Sequence, residues 1–551
     1  MMNVYDGFTE RAGSLASAYD QNARFFYIKA TRARTGEAIW MKRTYLLGLD
    51  NGGTVTKAAL YGTDGEEIAV FSTQVQPIME KVGFVERDMD ALWAANAKAI
   101  RGVLEKSAVN PSDIIGVAVS GHGCGAYFVD DEGRPAANGI ISTDTRAKEL
   151  VERWNADGTY EKLLPMTMQI IWAGQTLPIV AWHQAEKPQL LDRAKWVLSC
   201  KDYIRFCLTG EAYTELTDVS VANGINLTTK AYDDAIFAAF GIEAYKRLFA
   251  PLRKCTDACG VVSAKAARET GLLEGTPVAG GLCDVAACCI GTGVTSPDKM
   301  CMVAGTWSIN EFISKRPIVS KELFQTALYC MDDYWMILEN SMTSASNLEW
   351  FIQNLMSAEK KEAELAGGRV YTITDDMAAS VSPEDCPVIF LPFLFGTNVN
   401  ADAKACFLGV SGLHTKAHLM RAVYEGVAFS HRAHMENLLR FRERPASIRI
   451  SGGAARSRVW VQIFADVFQI PIEVSAASEL GAMGAAMCAG IATGVLEDFY
   501  HAADVFSKVR YTCAPNPEKA QIYADKFDLY RKLSSRLDDT WKEWKTVFKN
   551  S

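Results

Sequence analysis

Apolar positions along this chain alternate between two spacings, and each spacing predicts a different element. The segment LLGLDNGGTVTKAAL, residues 46–60, is an apolar run, a Gly turn and a second apolar run, which predicts two strands joined by a tight hairpin. IIGVAVS, residues 114–120, has the length and continuity of a buried strand, whereas MDALWAANAKAIRGVLEK, residues 89–106, spaces its apolar residues as a helix does. Strands and helices mix in this way from residue 41 onward, so the chain reads as α/β. The strand, Gly turn, strand unit recurs at KMCMVAGTWSINEFI, residues 299–313, which predicts two similar domains. Gly residues cluster in EGTPVAGGLCDVAACCIGTG, and the domain junction is expected near residue 277, giving halves 44–276 and 277–551. Residues 1–43 are expected to be an extension or a misassigned start, because the first forty show no sustained period and carry acidic residues too early for a signal peptide.

Composition narrows the class. The 551 residues are 49% hydrophobic and 22% charged, ordinary for a globular protein and sufficient for two cores. With 57 Lys plus Arg against 65 Asp plus Glu, the net charge of -8 argues against nucleic acid or an anionic membrane as partner. No apolar run approaches a membrane span, and the fourteen Cys lack paired CxxC spacing, so reduced thiols in a cytoplasmic protein are expected. Cys288 and Cys289 read as small packing residues of an Ala-rich helix. The tail from 520 to 550 reads as amphipathic and helical, with Tyr530, Leu533, Leu537 and Trp541 on one face, packing on the second domain or, as a lesser option, forming a homodimer contact.

Three Gly-rich elements could approach a phosphate. Asp50, Asn51, Gly52, Gly53 and Thr54 follow the first strand, and Gly305, Thr306, Trp307 and Ser308 follow a later one. Each is equally what a plain hairpin turn needs. Ser451, Gly452, Gly453 and Ala454 precede a helix with Trp460, Ile463, Phe464 and Val467 on one face, and such a helix start can approach a nucleotide. The run Gly481 to Ala486 suits close helix packing better than an adenosine contact. No P-loop, kinase HRD or DFG, or dinucleotide fingerprint is present. Asp284, at a Gly-rich strand end beside the junction, is the candidate proton acceptor for phosphoryl transfer, although an Asp before a helix also suits an N-cap. His122 in SGHGCG, Glu86 and Asp88 in FVERD, and Asp144 and Arg146 in ISTDTR supply polar groups for a hydroxyl-rich acceptor.

Together DNGGT, GGLCD, AGTWS, GLHTKAHLMRAVYEGVAF and SGGAARS resemble the FGGY carbohydrate kinases from Met41 to the C-terminus. The resemblance implies two actin-like, ribonuclease-H-type ATPase domains around a central cleft that holds ATP and Mg2+, with a small sugar or polyol deeper against the first domain. By position, Asp50, Gly52, Gly53 and Thr54, with Asn51 and Lys57 beside them, match the first phosphate motif, Asp50 facing the metal. Gly305 and Thr306 match the second, and Gly452, Gly453 and Ala454 the adenosine element. Asp284 matches the catalytic Asp, while His122, Glu86 and Asp144 match the sugar-contacting region.

NLEWF, KDYIRFCLTG, SGHGCG and LPFLFGTN look most like bacterial L-xylulose kinases, and Gly396, Thr397 and Asn398 depart from the GER of many D-xylulose kinases. The alternatives are D-xylulose, ribulose, 3-keto-L-gulonate or glycerol as acceptor, or an actin-like ATPase without sugar kinase activity. Removing the residues before Met41 is expected to leave turnover and melting temperature nearly unchanged, which a truncated protein assayed beside the full chain would check.

Overall fold

A computed structural model describes residues 43–397, 400 and 402–548. The expected extension, apart from Arg43, lies outside the described residues, as does Asn398. Two seven-stranded sheets share one plan. The first takes β1 (Tyr45–Asn51), β2 (Val55–Gly62), β3 (Glu67–Gln74), β4 (Ile114–Gly121), β5 (Ala258–Val261), β6 (Pro277–Ala279) and β7 (Leu282–Cys283). β1, β2 and β3 form an antiparallel meander, β4 joins β1 in parallel, β6 joins β4 in parallel, and β5 closes that edge antiparallel. Between the meander and β4 runs α1 (Met89–Ser107), capped by the Asp88 carboxylate, which accepts from Ala91 N at 2.8 Å. That bond closes the first turn of the helix and is the role the structure gives Asp88.

The chain leaves the first sheet after β7. The Gly-rich segment around residue 277 falls on β6, and the crossing begins a few residues later, at α2 (Asp284–Gly291). The second sheet takes β8 (Lys299–Ala304), β9 (Ser308–Ser314), β10 (Gln325–Leu328), β11 (Trp335–Ser341), β12 (Ser447–Ser451), β13 (Ile472–Ser475) and β14 (Val509–Cys513). β8, β9 and β11 repeat the antiparallel meander, β12 and β13 the parallel pair, and β14 the antiparallel edge. The recurrence of strand, Gly turn and strand is therefore the visible part of a repeated sheet.

Helices α3 (Lys416–Leu438) and α4 (Arg458–Phe468) cover one face of the second sheet. Trp460, Ile463, Phe464 and Val467 of α4 are buried, as their spacing predicts. The expected helical tail is two helices, α6 (Ala520–Arg536) and α7 (Asp538–Val547), which meet at Leu537. Tyr530 and Trp541 are buried in the second core, and Leu533 and Leu537 pack against it. All fourteen cysteines are free thiols, and Cys289 is buried among the apolar residues around α2. Among the described residues no helix is long and apolar enough to cross a membrane.

Between the sheets α2 packs on α5 (Leu480–Ala492), a helix of small residues, as the run Gly481 to Ala486 predicts. A β-carbon at Gly484 would lie 2.4 Å from the Ala287 carbonyl oxygen, and one at Gly48 of β1 would lie 1.8 Å from that of Ala482. Both obstacles are backbone, so neither can swing aside. Gly48→Ala is expected to cost about 3 kcal/mol or more, at or beyond the usual limit for overpacking. Thermal melting would read it, and a midpoint within about 2 °C of wild type would contradict the close approach.

Candidate active site

The two Gly hairpins lie on one cavity of about 480 Å³. Gly52, Gly53 and Thr54 of the β1–β2 turn line it from the first half, and Gly305, Thr306 and Trp307 of the β8–β9 turn from the second. His122, just past β4, and Asp284, the first residue of α2, complete the wall between them. This convergence follows from the topology. β1 and β4 are parallel neighbours, β7 is a further parallel neighbour of β4, and the residues at or just past their ends therefore emerge at the same edge of the sheet.

Gly53 and Gly305 are not required by the surrounding protein. An added β-carbon at Gly53 meets nothing within 4 Å, and at Gly305 only Val303 Cγ1 at 3.8 Å. Space that the protein leaves open beside exposed backbone is what a polyphosphate needs. Gly452 has a different reason. Its φ is +88°, and a β-carbon there would meet Ala304 and Gly305 backbone within 2.8 Å, so this position carries the SGGA segment against the second hairpin. Gly452, Gly453 and Ala454 do not themselves line the cavity.

Burial sets the electrostatics. Loss of water pushes the Asp284 carboxyl up to about 7, and the nearby charge of Asp50 adds to it. Its carboxylate accepts from the N–H groups of Val285, at 2.8 Å, and Gly123. Asp50, at the end of β1, is also raised by burial, with Lys57 opposing and Glu479 adding. Asp50 packs against Gly481 at the start of α5 and is not on the cavity wall. Burial pulls the Lys57 ammonium down, but Asp50 and Glu479 more than offset this and leave it above its ordinary value; Nζ lies 2.6 Å from Glu479 Oε2. Desolvation, with the charge of Arg87 adding to it, lowers His122 to about 3, so the ring is neutral; Nε2 lies 3.0 Å from the Tyr127 hydroxyl.

Other expected contacts are engaged elsewhere. Asn51 is fully buried, its Oδ1 accepting from Thr56 Oγ1 at 3.1 Å and Asn96 Nδ2 at 2.8 Å, so its side chain ties β1 to α1. Asp144 and Glu86 converge on Arg146, whose Nη2 donates to Asp144 Oδ2 at 2.9 Å and to Glu86 Oε1 at 2.8 Å. Asp144 Oδ2 also accepts from Val85 N at 2.7 Å. Neither carboxylate lines the cavity; Ile141, Ser142 and Thr143 from the same segment do. Trp172, Gln325 and Asn340 also line it. They come from a loop and two strands with no Gly or charge signature, so nothing local in the sequence marks them.

Comparison with known proteins agrees with this geometry. Residues 45–291 match the N-terminal domain of the FGGY family of carbohydrate kinases, and residues 300–493 its C-terminal domain. A probable L-xylulose kinase from Pasteurella multocida is 35% identical over 495 residues, covering 90% of this chain and 99% of that protein. An L-xylulose/3-keto-L-gulonate kinase from Escherichia coli is 35% identical over 499 residues, covering 90% and 97%. The crystal structure of a xylulose kinase from Rhodospirillum rubrum superposes with a TM-score of 0.79 at 25% identity, over 90% of this chain and all of that one. Both halves of the chain, each carrying one of the repeated sheets and one of the Gly hairpins, match the domains of carbohydrate kinases, and the chain belongs to the FGGY family.

Proposed function

We propose that the enzyme transfers the terminal phosphoryl group of ATP to the terminal hydroxyl of a ketopentose, converting L-xylulose to L-xylulose 5-phosphate. The observation that carries the reading is Asp284, a buried carboxylate with its pKa near 7, on a cavity that both Gly hairpins line. A base poised near the working pH is suited to take the proton of an attacking hydroxyl. Neutral His122, its ring nitrogens paired with the Gly123 carbonyl and the Tyr127 hydroxyl, lines the same cavity without adding charge beside that base. The choice of L-xylulose rests on the names of the relatives that are 35% identical.

The open space at Gly53 and Gly305 leaves room for a polyphosphate beside the hairpin backbone and near Thr54 and Thr306, while the N–H groups of Gly52 and Gly305 are used inside the hairpins, donating to the Val55 and Trp307 carbonyls. Asp50, packed against Gly481, and Gly452 to Ala454, behind the second hairpin, do not line the cavity, so their assignment to Mg2+ and to adenosine rests on the family resemblance alone. When bound, the metal supplies charge neutralisation for the phosphates. Asp284 holds the proton it accepts, and its low-dielectric setting keeps water from competing for that role. The sugar-side half is taken to carry the first sheet, β1 to β7, and the nucleotide-side half the second, β8 to β14.

Three outcomes follow from the Asp284 assignment. Asp284→Asn is expected to keep sugar binding and lose about 10² to 10⁴ in kcat; near wild-type turnover would remove Asp284 from the mechanism. In the wild-type enzyme, kcat/KM for the sugar should fall as pH drops below about 7. The stability sign is opposite. A carboxyl raised from 3.8 contributes most when protonated, and that contribution is lost as pH rises through about 7, so Asp284→Asn should raise the melting temperature more at alkaline than at mildly acidic pH. A coupled ADP-release assay over ketopentoses, 3-keto-L-gulonate and glycerol tests the acceptor, and inactivity on every ketopentose would overturn that choice.

A further inference from the structure

The floor of the cavity is where backbone joins the two halves. Gln169 and Gln325 form an antiparallel bridge, Thr326 N donates to Met168 O at 2.9 Å, and Ile170 N to Phe324 O at 3.2 Å. The first-half strand of this seam is held by side-chain amides. Gln175 Nε2 donates to Gln169 Oε1 at 2.9 Å, Gln169 Nε2 to Ser220 O at 2.6 Å, and Asn223 Nδ2 to Gln175 Oε1 at 2.6 Å. Gln175 Oε1 also accepts from Trp172 N at 3.0 Å, which fixes the loop that carries the indole.

Two donors on this floor have nothing to donate to. Gln325 lines the cavity, is 3% exposed, and its Nε2 has no hydrogen-bond partner among the described residues. Trp172 lines the cavity too, and its Nε1 is equally without a partner. The Trp172 ring faces Trp307 with centroids 6.3 Å apart, so an aromatic wall from both halves stands beside the donors. A buried polar group left unpaired costs free energy unless a ligand or water pairs it. An indole can only donate, and an amide can both donate and accept.

We propose that Gln325 and Trp172 are specificity-determining residues, binding oxygen atoms of the acceptor sugar from the two sides of the seam. The ligand class is a small hydroxylated carbonyl compound, which offers oxygens to the donors and C–H faces to the indoles; this rests on the sugar-kinase reading of the same cavity. Because the seam is continuous backbone pairing, Gln325 is fixed relative to the segment that carries Trp172 before the sugar arrives. The two side chains should therefore contribute to binding equally in the ground state and the transition state, and their loss should appear in KM and not in kcat.

The test uses Gln325→Met, which keeps length and removes the amide, and Trp172→Phe, which keeps an aromatic ring and removes the N–H. Both are assayed on whichever sugar, polyol or sugar acid the wild type turns over best, so the wild-type panel alone judges the ketopentose reading. The expected result for each variant is a rise of about tenfold in KM for the acceptor, with kcat and KM for ATP within about twofold. Single-deoxy analogues supply the second readout. One analogue should be penalised in the wild type and not further penalised in the matching variant, which a merely structural role would not produce. An unchanged acceptor KM in both variants, or equal penalties for every analogue, would overturn the proposal. A variant with a lowered melting temperature is judged by the analogue ratios, which compare acceptors on the same protein.

Discussion

A carbonyl oxygen of α5 occupies the place where residue 48 would carry a β-carbon, and the rest of the site depends on that approach. Only glycine at 48 lets a helix lie so close to the central strand of the first sheet. The same helix meets α2 at Gly484, again backbone to backbone. Two Gly contacts thus bring β1 and α2 to one small-residue helix, and the side chains at the end of β1 and the start of α2 are Asp50 and Asp284. Close packing excludes water, and exclusion of water is the first cause of the raised pKa of both carboxyls.

Two buried carboxylates beside a polyphosphate site would repel their ligand if charge alone governed binding. The chain carries a net charge of -8, and Lys57 is paired with Glu479, not directed into the cavity. On the proposed reading, charge complementarity must come chiefly from backbone dipoles and a bound cation and not from a basic side chain. Arg146 illustrates the complementary use of charge. Buried between Asp144, Glu86 and the rings of Phe84 and Trp182, it fastens the segment whose neighbours, Ile141 to Thr143, line the cavity.

Much of this was legible in the chain. The hairpin at Gly52 and Gly53, its repeat at Gly305, and the buried strand before His122 are local features, because a turn that needs glycine and a strand that alternates with it are written in adjacent residues. Asp284 was legible because it stands where a Gly-rich strand ends. Charged residues were the harder class. Asp88, Asp144 and Glu86 have the composition of sugar contacts, and one caps α1 while the other two hold an arginine. A carboxylate looks the same in sequence whether it faces a ligand or a cation.

By itself, the sequence determined the two hairpins, the repeated α/β plan and the small-residue helix, since each rests on spacing within one stretch of chain. Tertiary structure alone decided which strands are neighbours, that the chain leaves the first sheet only after β7, and that Trp172 and Gln325 line the cavity. Those outcomes depend on contacts between residues far apart in the chain, such as the bridge between Gln169 and Gln325, and burial of a donor without a partner is a property of the assembled surroundings. The pKa of Asp284 belongs to the same class, because desolvation is a measure of what surrounds a group and not of the group itself.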